Sequence, residues 1–200
     1  MLVQGIKSRP VYSGIAIDPN AQRHLFALEG EGALALIEQA ASGVGFLSRT
    51  EILYVAAGSK AAAHESNLAA LKPYDLWAAP TIPVLLNRLK AILTSARMGM
   101  RLYVAGTEGF IGQALQVALN AGIDHNSVHT EHRGSAARRV QCVHCKGISE
   151  DVKTSPFTCA HCGLRLLVRD HYSRRIGAFQ GVNIDAEEPG TVPPPEELFP

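Results

Sequence analysis

Four cysteines in two matched pairs constrain this chain more than any other feature: Cys142-Val143-His144-Cys145 and Cys159-Ala160-His161-Cys162. Two residues between paired cysteines let one tight turn aim both sulfurs at a point, and two such turns complete a tetrahedron around one ion. The thirteen residues between the pairs, KGISEDVKTSPFT, are enough to run out and back as a β-hairpin. Gly163, directly after the second pair, suits the positive φ that such a turn often needs. Cys142, Cys145, Cys159 and Cys162 are therefore the expected metal ligands, with zinc as the expected metal. Four thiolates also suit iron in a rubredoxin-like site, which stays open as the alternative. With four sulfurs available, His144 and His161 are expected to face outward or to support the ligands from behind. A closed four-sulfur zinc site leaves no position for catalysis. Its role is to supply folding energy to a module too small to fold on apolar burial.

Thiolates of this kind imply a reducing compartment. The N-terminus, MLVQGIKSRP, lacks the charged start and apolar centre of a signal peptide, and no apolar run approaches the roughly 20 residues of a membrane span. A cytoplasmic protein without a membrane partner is the expectation. Its 46% hydrophobic and 18% charged residues fit a globular chain rather than a disordered one. Charge is distributed unevenly. Residues 1–132 carry ten basic and ten acidic residues, residues 133–175 carry nine basic residues against Glu150, Asp151 and Asp170, and residues 176–200 carry five acids and no base. A basic module followed by an acidic tail points to docking on a charged partner, or to the tail folding back.

Residues 1–132 read as an α/β domain. His24–Phe26 is a short strand running into a turn at Ala27–Gly32, and Ala33–Ala41 is a helix rich in Ala and Leu. Glu51–Ala57 and Met100–Ala105 are apolar, β-branched runs expected as buried strands, with a third strand at Asp75–Ala78. His64–Leu71, Ile82–Ser95 and Gly109–Ala121 read as helices, the second with apolar residues at helical spacing. Strands alternating with helices imply a mainly parallel sheet covered on both faces. Residues 133–139 read as a linker, 140–182 as the four-cysteine module, and 183–200 as an acidic, extended tail with five prolines from Glu187 onward. Leu198 and Phe199 are placed to anchor its end on a partner or on the protein's own surface. No nucleophile–base arrangement or paired carboxylates stand out, and His24, His64 and His125 read as core or surface groups.

The stretch RLYVAGTEGFIGQALQVALNAGIDHNSVHTE, residues 101–131, resembles the end of ferredoxin–NADP reductase nucleotide domains, where a strand meets a Cys-Gly-Pro-x-x-Phe/Met turn, a helix and a final I-H-x-E strand. Here the turn is Ala105-Gly106-Thr107-Glu108-Gly109-Phe110 and the strand carries Val128-His129-Thr130-Glu131. The resemblance implies an NADPH site with Gly106, Thr107, Glu108, Gly109 and Phe110 at the nicotinamide end, and HLFALEGEG (His24–Gly32) as the first strand and phosphate turn. The chain departs from that pattern: Ala105 replaces the cysteine, Thr107 the proline, and Glu29 and Glu31 bring negative charge to the turn.

Over nearly its whole length the chain resembles the DmmA-type subunits of bacterial dimethylamine monooxygenase. The residues that carry this are the two cysteine pairs, His171-Tyr172-Ser173-Arg174-Arg175, and Gly177-Ala178-Phe179-Gln180-Gly181-Val182. The resemblance implies an accessory subunit of a multisubunit enzyme that demethylates dimethylamine to methylamine and formaldehyde with NADPH and O2. Flavin, iron–sulfur and haem groups are then expected on partner reductase and haem-type oxygenase subunits. Two other readings stay open: a rubredoxin-like electron carrier, and a nucleic-acid-binding ribbon whose surface is Arg165, Arg169, Arg174 and Arg175 with His171, Tyr172 and Phe179. The balanced α/β domain gives nucleic acid no further support.

Overall fold

The apolar runs of the first two thirds become one parallel sheet. In the computed structural model, which describes residues 8–43, 45–123 and 127–200, these strands are β1 (Arg23–Glu29), β2 (Thr50–Val55), β3 (Asp75–Ala79), β4 (Met100–Gly106) and β5 (Val128–His132), in the order β3-β2-β1-β4-β5. Successive side chains of a strand point to opposite faces, and here both faces are covered. Leu25, Ala27, Leu53, Val55, Leu102 and Val104 share a cluster with the helices α3 (Ile82–Thr94) and α4 (Glu108–Asn120). Phe26, Leu28, Ile52, Tyr54, Tyr103 and Ala105 share another with α1 (Ala33–Ala41) and α2 (Ala61–Ala70). This is the doubly covered parallel sheet that the strand–helix alternation implies.

Two of the helices, α3 and α4, begin at threonine caps. Thr81 caps α3 by accepting from Val84 N at 3.5 Å, with a proline in the first turn, where the missing N–H has no partner to lose. Leu85, Leu89 and Leu93 then bury one stripe. β1 is longer than its expected three residues. Ala27 and Leu28 are fully buried and pair with β2 on one side and β4 on the other, so ladder formation on both edges overrides their weak local strand preference.

This unit comprises residues 12–134; residues 8–11 and 135–200 form a second. The second unit contains β6 (Arg138–Cys142), β7 (Ile148–Val152), β8 (Thr154–Ser155), β9 (Phe157–Thr158), β10 (Arg165–Ser173), β11 (Ala178–Asn183) and β12 (Glu196–Glu197). Five of them make a sheet in the order β7-β6-β11-β10-β9. The thirteen-residue segment between the cysteine pairs does not close on itself as a hairpin. Its first arm pairs with β6 and its last with β10, on opposite edges of the sheet. The reason is that each cysteine pair is itself the turn of a hairpin, β6–β7 for the first and β9–β10 for the second.

Ser8 and the C-terminal tail both take part in this unit. A register shift in β10 between Arg169 and Tyr172 interrupts its ladder with β11. Asp170 O then accepts from Ser8 N at 2.9 Å, and Tyr172 N donates to Ser8 O at 3.0 Å. The proline-rich tail is also held: β12 pairs with β8, and Phe199 is buried while Leu198 stays exposed. Arg138 lies between the rings of Phe179 and Phe199, 3.9 and 4.0 Å from their centroids, and pairs with Asp170 at 2.9 Å.

Candidate metal centre

The two turns present their sulfurs to one another with matching backbones. Lys146 N donates to Cys142 O at 2.9 Å and Gly163 N to Cys159 O at 3.0 Å, while Cys142 N reaches Gly147 O and Cys159 N reaches Leu164 O, both at 2.9 Å. The residue after each second cysteine is left-handed, Lys146 at φ 63° and Gly163 at φ 75°. The first turn thus makes a lysine adopt a conformation that glycine takes freely. Gly147 N also donates to Cys145 Sγ at 3.4 Å, the kind of bond that favours a thiolate.

Cys142 Sγ lies 3.8 Å from Cys162 Sγ, Cys145 Sγ lies 3.8 Å from Cys159 Sγ, and all four sulfurs fall within 4.8 Å of one another. A tetrahedron with zinc–sulfur bonds of about 2.3 Å has edges of about 3.8 Å, so the closest separations match a shared ion and are far longer than a disulfide's roughly 2.05 Å. The four cysteines are free thiols. Their donor set fits a tetrahedral, thiophilic cation, and iron fits it as zinc does.

The electrostatics agree. Burial opposes ionisation of the Cys159 thiol, yet the N–H groups of His161 and Cys162 and the neighbouring thiols of Cys162 and Cys145 bring it down to about 7. For Cys162 the Leu164 N–H favours the thiolate, but burial and the crowding of Cys145, Cys159 and Cys142 push it up to about 12. Ionising all four sulfurs together in this space would need a cation among them.

His144 and His161 are exposed. The His161 Nε2–H donates to Ile148 O at 2.8 Å, tying the second turn to the first hairpin. Its ring packs on Gly147, where an added Cβ would stand 2.4 Å from ring carbons. The expectation that His161 faces outward or supports the ligands from behind did not specify this bond, for which Gly147 beside a cysteine turn is the sequence signal. Phe179, expected on the basic aromatic surface, is instead 1% exposed and belongs to the apolar cluster under Arg138. Outside lies a cleft of about 420 Å³, with Val143 and Ile176 among its apolar walls, Lys146 and Arg175 as its cations and the His171 imidazole beside them.

In the α/β unit the residues of the expected nicotinamide end are brought together but engaged with the protein itself. Gly106 ends β4, and Thr107 caps α4, accepting from Phe110 N at 3.4 Å. Thr107 N and Oγ1 both donate to Glu29 Oε2, at 2.9 and 2.7 Å. Glu108 accepts from Tyr12, Gly109 O from Gln113, and Phe110 is buried in the core. The charge of Glu29 was visible in the sequence; its bond across to Thr107 was not. His24 is buried, with Nδ1 3.2 Å from Tyr103 Oη, and His64 is buried in α2. His125 lies outside the described residues. No helix among those described is long and apolar enough to cross a membrane.

Comparison with known proteins places both units. Residues 4–128 match the N-terminal domain, and residues 139–182 the C-terminal domain, of dimethylamine monooxygenase subunit DmmA-like proteins. The chain belongs to the DmmA-like family. It is 34% identical over 110 residues to the delta subunit of a heme-dependent oxidative N-demethylase from Ectopseudomonas mendocina (strain ymp). That alignment covers 55% of this chain and 63% of the relative, so the chain spans just under two thirds of the curated relative's length. Among solved structures, the FAD/NAD-binding domain of nitric oxide dioxygenase from Vibrio cholerae O1 biovar El Tor is similar at 16% identity and TM-score 0.44, over 62% of this chain and 56% of that one. A flavohemoglobin from Malassezia yamatoensis is similar at 14% identity and TM-score 0.41, over 60% and 33%.

Proposed function

We propose that this chain is an accessory subunit of a multisubunit oxidative N-demethylase acting on dimethylamine, and that its four-cysteine unit is a zinc-stiffened docking module. The observation that carries the reading is the coincidence, in a DmmA-like chain, of four sulfurs at tetrahedral spacing with no open coordination position. In this reading NADPH oxidation, electron transfer through flavin and iron–sulfur groups, and O2 chemistry at haem belong to partner reductase and oxygenase subunits. The cationic cleft beside the first cysteine turn is the surface that meets an acidic patch on one of them.

A tagged copy of the chain, purified from cells that express it with the other demethylase subunits, is expected to bring down a haem protein and a flavin protein. The assembly should release formaldehyde from dimethylamine only with NADPH and O2, and metal analysis should give one zinc per chain. Recovery of the chain alone, under conditions where the other subunits assemble, overturns the reading. Because the same sulfurs suit iron, colour separates the second reading: a ferric tetrathiolate is red and reducible, whereas the zinc protein is colourless.

A further inference from the structure

In open parallel sheets, ligands bind outside the carboxyl ends of the strands, at the point where the strand order reverses. Here the chain leaves β1 for β2 and β3, then returns to β4 on the other side. The reversal therefore lies between β1 and β4, and the crevice is bounded by the ends of those two strands and the starts of α1 and α4.

Two features close it. The first is backbone on backbone: a Cβ at Gly32, where α1 begins, would stand 2.1 Å from Ala105 O. The second is Glu29, the last residue of β1, whose carboxylate crosses to accept the Thr107 N–H and hydroxyl. Its charge thereby sits at the N-terminus of the thirteen-residue helix α4, the end whose dipole and unpaired N–H groups attract anions. The same carboxylate covers Gly106: an added Cβ there would meet Glu29 Cβ and Oε2 at 2.8 Å each. A nucleotide phosphate or carboxamide entering the crevice needs these donors and this space. Glu29, 8% exposed, holds both.

We propose that Glu29 is an internal anion standing in place of a nucleotide, so that the α/β unit keeps the architecture of a dinucleotide-binding domain without taking a dinucleotide at its β1–β4 crevice. Only the corollary, that NADPH binds on another subunit, depends on the accessory-subunit reading. The crevice itself is tested on this chain alone, so the two can fail separately.

Calorimetric titration of the full, metal-loaded chain with NADPH is expected to give no saturable heat up to millimolar ligand. Glu29→Ala empties the carboxylate position; its Tm for the α/β unit should fall by roughly 4–8 °C. Acetate in excess should recover part of that fall in the variant while leaving the parent chain unmoved, because a free carboxylate refills the vacated donors. Should the alanine variant not fold, Glu29→Gln keeps the acceptor oxygen without the charge and should show a smaller fall in Tm. Saturable NADPH binding by the parent chain overturns the proposal. So does a Tm unchanged by both substitutions, or an equal acetate response in parent and variant.

Discussion

The α/β unit buries two continuous apolar clusters, one on each face of its sheet, whereas the clusters of the C-terminal unit are small: Val140, Val152, Val168, Phe179 and Phe199 in one, and Leu166 with Cys142 and Cys159 in the other. The first resembles an ordinary domain core, with Leu, Ile, Val, Phe and Tyr filling the space between layers. The second is thin, and long-range contacts join its parts: the four clustered sulfurs, the Arg138 guanidinium between two aromatic rings, and Ser8 and Glu196–Glu197 paired to β10 and β8. In the metal-centre reading proposed above, the small sheet with few fully buried residues relies on a cation where the larger one relies on packing.

Metal removal is expected to have the largest effect, and to strike one unit only. Structural zinc supplies about 10–16 kcal/mol in small modules, more than the 5–15 kcal/mol net stability of most domains at its upper end. Cys159→Ser, or a strong chelator, is expected to unfold the C-terminal unit and leave the α/β unit intact. Hydrogen exchange read peptide by peptide checks this: fast exchange in 138–183 with protection kept in β1 and β4 is the expected pattern, and protection kept in both units defeats it. The reverse experiment is smaller. Leu89→Ala in α3, at a fully buried site, should cost about 2–5 kcal/mol in urea unfolding of the α/β unit and leave metal content unchanged.

A third test uses pH. Burial, then the nearby charge of Arg49, holds His24 below its ordinary value. The unfolded chain therefore takes up a proton that the folded unit resists, so stability is full above the unfolded value of about 6.5 and falls as the pH drops below it. Thermal melts of the α/β unit between neutral and mildly acidic pH should show that slope, and His24→Phe should flatten it. A slope of the same size in the variant assigns the effect elsewhere.

The smallest effect on stability is expected at the cationic cleft. Arg175→Glu, alone or with His171→Glu, alters exposed side chains and should change unfolding free energy by less than about 0.5 kcal/mol. The same changes should weaken capture of the partner subunits by tenfold or more at low salt, with the difference shrinking as salt screens the contact. Unaltered capture would move the docking surface away from the cleft.

Much of the fold was legible because it is written locally. The α1, α3 and α4 segments and the strands at 50–55, 75–79 and 100–106 carry their periodicity in the sequence, and the observed bounds differ by a residue or two. The cysteine pairs were legible for the same reason, since a two-residue spacing already defines a turn. Less visible were elements whose partners lie far along the chain. The expectation that KGISEDVKTSPFT closes into its own hairpin overlooked that each cysteine turn already has two arms to pair. The placing of Phe179 on the surface followed from its basic neighbours, while its true environment comes from Arg138 and Phe199, 41 residues behind and 20 ahead.

Local sequence was enough for the parallel doubly covered sheet, the placing of α1, α3 and α4 and the pairing of the four cysteines, because periodicity and turn geometry act over a few residues; α2, expected from His64, begins at Ala61. Tertiary packing was needed to bring the four sulfurs within 4.8 Å of one another, to add Ser8 and Phe199 to the second unit, and to carry the Glu29 carboxylate across to Thr107. Those outcomes depend on distances between segments scores of residues apart, and such distances are fixed by packing and long-range hydrogen bonds rather than by local preference.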